Sequence, residues 1–247
     1  MNRRDVLVLA LGALGGGASA GAGRHGQAPL HIVTATLPPL VMAPGEQQGG
    51  ALRELVEALC ERLALAPELE YMPWRRAQYL ATTMRHTAIF PLTRIPDREN
   101  RFRWLAPLYE ENYVFMALEG SSFDVAHPQD MRGKRIALLR GAAQAAILDE
   151  LGFRQLVEAS SIDEVHRYLL AGMADAVFGE RAIIRSSLAL RVEEKKFRLS
   201  RPVRSTGAWL AGSLDFGEAD VRRYRAAMAA LVQDGTQARI FRRYGLA

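Results

Sequence analysis

The feature that most restricts the fold is a strand–helix–strand–helix–strand pattern that occurs twice along the chain. In each copy, short apolar runs alternate with segments whose apolar residues recur every three or four positions. Strands that alternate with helices of this length favour βαβ crossovers, so we predict parallel-rich sheets flanked by helices. The predicted strands are 31–35, 69–72, 87–92, 135–139, 155–158 and 174–178, and the predicted helices are 52–63, 75–84, 141–151 and 162–170.

Two successive copies of this unit predict a two-lobed α/β protein. An apolar strand-like run at 113–118 separates the copies, and a second run at 208–211, with a glycine on each side, follows them. Two extended segments that cross between lobes would form a hinge, and glycine at strand ends absorbs the dihedral change of closure. Two C-terminal helices, at 221–232 and 236–244, are predicted to pack back on the first lobe. The predicted domains are lobe 1 (29–112 plus 212–247) and lobe 2 (113–211).

The first twenty residues have the form of a secretory signal peptide. Arg3 and Arg4 give a positive start, an apolar run covers 6–17, and small residues precede a cleavage site expected after Ala20. The apolar run is well short of the ~20 residues that cross a bilayer. The paired arginines also fit a twin-arginine signal, so both export routes stay open. We therefore expect a periplasmic protein whose mature chain begins with a disordered segment, 21–28.

Charge, cysteine and histidine usage exclude several function classes. The formal net charge is +5, with the arginines scattered along the chain, which is typical of solvated helix faces. Together with export, this argues against nucleic acid as a partner. The one cysteine, Cys60, lies on the apolar side of a predicted helix and is expected to be a buried, inert thiol. The five histidines show no metal-ligand spacing, so we expect no metal site. We also expect a monomer with no cofactor and no enzymatic activity.

A ligand site is expected beyond the carboxyl ends of the predicted parallel strands. Arg98 follows the third strand of the first unit, and Glu180 follows the third strand of the second. Gly141, Ala142 and Ala143 follow a strand and open a predicted helix, where free N–H groups would favour an anion. A zwitterion needs such a pairing, because a guanidinium holds its carboxylate and a carboxylate holds its ammonium.

Several segments, in order along the mature chain, resemble the family 3 extracellular solute-binding proteins. They are 72–77 (MPWRRA), 92–100 (LTRIPDREN) with Phe102 and 106–109 (APLY), 134–137 (KRIA) with Gly141, and 170–176 (LAGMADA). Members of this family are polar amino-acid receptors of ABC importers. The resemblance implies a type II periplasmic-binding-protein-like fold with two crossing hinge strands. It also implies capture of a small amino-acid-like ligand between the lobes and its delivery to an inner-membrane ABC permease.

The resemblance also implies roles for individual residues. Arg98 matches the arginine that holds the ligand carboxylate, and Thr93 matches the hydroxyl residue that accepts from the ligand ammonium. Glu180 stands where the family usually has an aspartate that pairs with this ammonium. Trp74 lies near the aromatic position that packs on the ligand side chain.

Departures from the family pattern leave the ligand class open. Ala142 and Ala143 replace the usual Ser and Thr, so carboxylate binding there would depend on backbone N–H groups. Ile95 replaces a usual threonine, and 37–39 lacks the aromatic residue of the first loop. Glu180 is one methylene longer than aspartate, which displaces its carboxylate.

Other interpretations of the same residues stay open. Arg98 is also consistent with a surface arginine paired with Asp97 or Glu99, and Glu180 with a helix-start acid that favours the helix dipole. An alternative function is a periplasmic enzyme on this fold, since cyclohexadienyl dehydratases resemble the family. Glu180 would then be a general acid, although the sequence places no second acid or base beside it. A third possibility is a sensor subunit for a membrane receptor.

Overall fold

The structure is a computed structural model that describes residues 30–189 and 196–246. The predicted signal peptide at 1–20 and the predicted disordered segment at 21–28 lie outside the described residues. Within the described ranges, no helix combines the length and apolarity needed to cross a membrane.

The described residues form nine strands and seven helices, numbered in chain order. The strands are β1 (His31–Thr34), β2 (Glu68–Tyr71), β3 (Thr87–Thr93), β4 (Arg103–Leu118), β5 (Ile136–Leu139), β6 (Leu156–Ala159), β7 (Ala176–Glu180), β8 (Phe197–Leu199) and β9 (Arg204–Gly212). The helices are α1 (Ala51–Arg62), α2 (Trp74–Thr83), α3 (Gln144–Glu150), α4 (Ile162–Leu170), α5 (Arg181–Ala189), α6 (Glu218–Gln233) and α7 (Thr236–Arg243).

The strands form one hydrogen-bonded path with two parallel halves. Its order is β2-β1-β3-β9-β4-β7-β5-β6, and β8 pairs with β4 beside this path. In the first half β1 is parallel to β2 and β3, and in the second half β5 is parallel to β6 and β7. The long strands β4 and β9 run antiparallel to each other through the middle and connect the halves. This is the predicted two-lobed α/β architecture with two crossing hinge strands.

Each half has its own apolar core. In the second half, alternate residues of β4 serve the two faces of the sheet: Tyr113 and Phe115 belong to one buried cluster and Val114 and Met116 to the other. This alternation follows from the period of two in a strand. The core of the first half includes α1 together with α6 and α7, so the C-terminal helices pack on the first lobe as predicted.

The predicted elements are present, with differences at β4, α3 and α5. β4 begins at Arg103, whereas the apolar run predicted only 113–118, because Pro107 and two register shifts interrupt its first half. The helix predicted from Gly141 begins at Gln144 instead: Gly141 has φ 74° and starts a turn in which the Ala142 N–H donates to the Leu139 carbonyl. The apolar pattern did not predict α5 or β8.

The start of α4 is fixed by side-chain capping. Ser161 Oγ accepts from the Glu164 N–H at 3.2 Å, which is one of the two hydrogen bonds of a capping box. The Glu164 carboxylate, however, accepts from the N–H of Ser160 and not from that of Ser161. This cap orients the helix that carries Val165 and His166 to the region between the lobes.

We predict that Gly50→Ala destabilises the protein by about 3 kcal/mol or more, because two separate penalties combine. Gly50 has φ +94°, and an added Cβ would lie 2.7 Å from the carbonyl oxygen of Leu40. Gly45→Ala is the matched control, since Gly45 has φ +88° and open space around its Cβ position. Urea unfolding of both variants measures the difference. Equal losses would show that backbone strain alone matters at Gly50.

Candidate functional site

The carboxyl ends of β3 and β7 and the turn after β5 meet at a cavity between the two halves. Its volume is about 40 Å³, room for a few water molecules. The first half contributes Leu37, Trp74, Pro91 and Thr93, and β4 contributes Glu111 and Tyr113. The second half contributes Leu139, Ala142, Gln144, Ile162, Val165, His166, Val177, Phe178, Gly179, Glu180, Ile183 and Ile184.

The two lobes are in contact around this cavity. Leu139 and Ile183 of the second lobe are part of the first lobe's apolar core, which shows that the lobes are closed on each other. Of the predicted site residues, Trp74, Thr93 and Ala142 line the cavity together with Glu180.

Arg98 lies beside the cavity and is buried, with 5% of its surface exposed. Its Nη1 donates to the Thr93 carbonyl at 3.0 Å, and its Nη2 donates to Gln78 Oε1 at 3.2 Å and to the Gly141 carbonyl of the other lobe at 3.1 Å. Burial lowers the pKa of Arg98, although a guanidinium stays charged in proteins. Arg98 is therefore a buried cation that bridges the lobes. The surface pairing considered for it belongs to Arg94, which binds Glu99.

The turn after β5 differs from the predicted N–H anion site. Gly141 presents its carbonyl, which accepts from Arg98 and also from Gln78 Nε2 at 2.7 Å. The Ala142 N–H is used within the turn, and Ala143 packs in the second lobe's core and does not line the cavity. The turn thus offers an acceptor to the opposite lobe where a free donor was expected.

Glu180 has features of both predicted roles, an acid at the start of a helix and an acid that lines the ligand site. Its carboxylate accepts from the Ile183 N–H at 2.9 Å at the start of α5 and from the Tyr109 hydroxyl at 3.2 Å. It also lines the cavity, and 2% of the residue is exposed. Burial raises the pKa of Glu180, while these hydrogen bonds lower it in part.

Glu111 is a second buried acid on the cavity, and sequence reasoning missed it. It is 4% exposed and lies on β4, where the strand passes between the lobes. The Tyr113 hydroxyl donates to Glu111 Oε2 at 3.2 Å and lies 3.0 Å from Thr93 Oγ1. The available signal was the strand alternation, which puts Glu111 on the same face as Tyr113 and Phe115.

The surroundings of Glu111 favour its neutral form. Its pKa is raised to about 8, with burial as the largest cause and a hydrogen bond with Thr93 opposing it. Repulsion from the Glu180 carboxylate contributes to this increase, and Tyr113 and Arg98 reduce it. Two carboxyl groups that face one apolar cavity repel each other when both are ionised.

Gln78, Gln144 and His166 were also not predicted. Gln78 links Arg98 to the turn after β5, and the other two line the cavity. Gln144 is 7% exposed, and its Oε1 has no hydrogen-bond partner among the described residues. None of these three positions carries a spacing or motif that separates it from ordinary helix residues.

No protein-family model matches the sequence, and no curated protein matches it. Solved structures do match. One is the GluR0 ligand-binding core from Nostoc punctiforme in complex with L-glutamate, with a TM-score of 0.77, 17% identity and coverage of 89% of this chain and 100% of that one. Another is the arginine-, lysine-, histidine-binding protein ArtJ from Geobacillus stearothermophilus, with a TM-score of 0.78, 16% identity and coverage of 88% and 95%.

A third similar structure is a histidine kinase sensor domain described as similar to periplasmic binding proteins. It has a TM-score of 0.75 and 20% identity, and the match covers 86% of this chain and 94% of that one. Similarity at this level of identity establishes the fold, and the predicted two-lobed periplasmic-binding-protein-like fold is confirmed.

We predict that Glu111→Gln raises stability increasingly as the pH rises from about 4.5 to about 8. In this window the folded protein keeps a proton on Glu111 that the unfolded chain releases, so wild-type stability falls with pH. Glutamine removes this dependence, and the expected gain at pH 8 is roughly 2–5 kcal/mol, since one pKa unit is about 1.4 kcal/mol. Thermal unfolding across the pH range measures it. Glu110→Gln, at an exposed position on the same strand, is the control. A gain that is independent of pH would contradict the raised pKa.

Proposed function

We propose that this protein is a periplasmic solute-binding protein that captures a small polar, amino-acid-like ligand between its lobes and delivers it to an ABC importer. The N-terminal signal peptide would export the protein, and the mature protein would be a monomer. Its lobes would be lobe 1 (29–112 plus 212–247) and lobe 2 (113–211).

The observation that carries the proposal is the composition of the cavity wall. Trp74 and Thr93 come from one lobe, Ala142 and Glu180 from the other, and Glu111 from a strand that connects them. Opening the lobes would divide this wall, so only the closed form offers the complete set of contacts. A ligand that contacts both lobes therefore increases the population of the closed conformation, and a membrane partner recognises that conformation.

The similar solved structures support an amino-acid-like ligand. One was obtained with L-glutamate, and another is described as a receptor for arginine, lysine and histidine. In this chain, Glu180 and Thr93 would receive the ligand's ammonium group, and Trp74 would pack against its body. A ligand carboxylate would reach Arg98 by replacing Gly141 O or Gln78 Oε1 as acceptor.

A thermal-shift screen of amino acids, amines, keto acids and small anions tests the proposal directly. A bound compound stabilises the folded form, by about 2.7 kcal/mol at a concentration a hundred times Kd. Failure of every compound to raise the melting temperature would count against ligand binding. The similarity to a kinase sensor domain supports a second role, presentation of the closed form to a receptor. A neighbouring permease gene would favour transport over sensing.

We predict that Arg98→Ala lowers affinity for the ligand found in the screen by about a hundredfold or more. The substitution removes the bond from Nη2 to the opposite lobe, which favours closure, and for a ligand with a carboxylate it also removes the cation that the carboxylate would reach. Calorimetry compares it with Arg101→Ala, an exposed arginine three residues away, which should leave affinity unchanged. Unchanged affinity in Arg98→Ala would remove Arg98 from the binding machinery.

The neighbouring buried acids Glu111 and Glu180 favour acid catalysis as a second candidate function. A neutral carboxyl in an apolar cavity suits a general acid, because it can donate a proton near neutral pH. Incubation of the purified protein with prephenate or arogenate tests this candidate. Turnover that is present in wild type and lost in both Glu180→Gln and Glu111→Gln would establish an enzyme. We expect no turnover.

A further inference from the structure

Three side chains of the cavity wall carry hydrogen-bond acceptors. Glu111 and Glu180 each present a carboxyl group, and Gln144 presents a buried Oε1 that lacks a partner among the described residues. A buried acceptor that is left unsatisfied is unfavourable, so Gln144 calls for an N–H donor from the ligand, which the two neighbouring carboxyl groups would also attract. An ammonium group offers three such donors.

The strand register places the side chains of Glu111 and Glu180 close together. In the β4–β7 pair, Glu180 is directly opposite Tyr113, and Glu111 is two residues from Tyr113 on the same face of β4. Diagonal neighbours in an antiparallel pair are about 7–8 Å apart between Cα atoms, which long side chains can span. Repulsion between Glu111 and Glu180 raises the pKa of Glu111, as their proximity requires.

The cavity wall has no matching cation. Neither arginine nor lysine is among the described residues that line the cavity. Arg98 lies beside it, with its guanidinium held by oxygens of Thr93, Gln78 and Gly141. His166 and Tyr113 are the other titratable groups among the described residues that line the cavity, and both already interact within the protein. A free carboxylate on the ligand would therefore meet two acids and have to displace a protein acceptor to reach Arg98.

We infer that the preferred ligand is the decarboxylated counterpart of a small amino acid, a compact primary amine without a free carboxylate, whose ammonium group is shared by Glu111, Glu180 and Gln144. This inference rests on the proposed function, because it names the ligand class of the same cleft. Glu111 then becomes a binding residue and sets the preference for positive charge. The body of the ligand packs on apolar side chains of both lobes, among them Trp74, Phe178 and Ile183.

Matched compounds test the charge preference. Ethylamine and isobutylamine, which suit a small cavity, are alanine and valine without the carboxylate, while propanoate and 3-methylbutanoate are the same skeletons without the amine. Calorimetry on the mature wild-type protein at pH 7 should give the amines an affinity at least about tenfold above the matching amino acids, and no binding of the acids. Tighter binding of the amino acids would overturn the inference and leave the proposed function intact. Binding of neither amine would also overturn it, and a broad screen without any hit would overturn both.

Two variants identify Glu111 as the source of the preference. Glu111→Gln should reduce amine affinity by about tenfold or more, whereas Glu110→Gln, at an exposed position on the same strand, should not. In wild type, amine affinity should rise as the pH increases toward 8, because Glu111 ionises and its carboxylate then pairs with the cation. This rise should disappear in Glu111→Gln. An amine affinity and pH dependence that are the same in wild type and Glu111→Gln would show that Glu111 does not bind the ligand.

Discussion

The backbone ladder between β4 and β9 is the constraint on which the rest of the structure depends. These two strands pair from Arg103–Gly212 at one end to Tyr113–Arg204 at the other. β9 also pairs with β3 of the first half, and β4 also pairs with β7 of the second half. Because this ladder is hydrogen-bonded to both halves of the molecule, its backbone is anchored to each lobe. Glu111 belongs to this ladder, where it pairs with Thr206 two positions before the Tyr113–Arg204 end. The site therefore combines a fixed acid on the ladder with side chains that each lobe supplies.

The buried polar groups of this site lower the stability of the fold. Two carboxyl groups and an amide oxygen lie in a cavity whose other walls are mostly apolar, and burial disfavours the ionised form of each acid. The burial of Glu180 is partly compensated by N–H and O–H donors from α5 and Tyr109, whereas the hydrogen bonds of Glu111 among the described residues involve the hydroxyl groups of Tyr113 and Thr93. Residues that lower stability in this way are typically retained for binding or catalysis, since an apolar residue would fill the position more favourably.

The sequence predicted the architecture well because periodic patterns encode it. The βαβ alternation gave both lobes, strand ends gave the region of the candidate site with Glu180, and the family resemblance added Trp74 and Thr93. What it missed depends on tertiary contacts. Glu111 lies in a strand whose first half contains Pro107 and register shifts, so its inward orientation was hidden. The role of Gly141 depends on the approach of Arg98 and Gln78 from the other lobe, which no local pattern contains.

The hydrogen bonds that Gly141 accepts have a consequence for the rates at which a ligand binds and dissociates. Arg98 and Gln78 bind this carbonyl across the cleft using protein atoms alone, so these bonds help to keep the lobes closed around any ligand that does not displace Gly141 O from Arg98. Opening the cleft breaks both bonds, so their rupture adds to the barrier for ligand entry and release. The residence time of a ligand then depends on these two hydrogen bonds of the protein as well as on the ligand's own contacts. Two compounds of different affinity can therefore dissociate at similar rates.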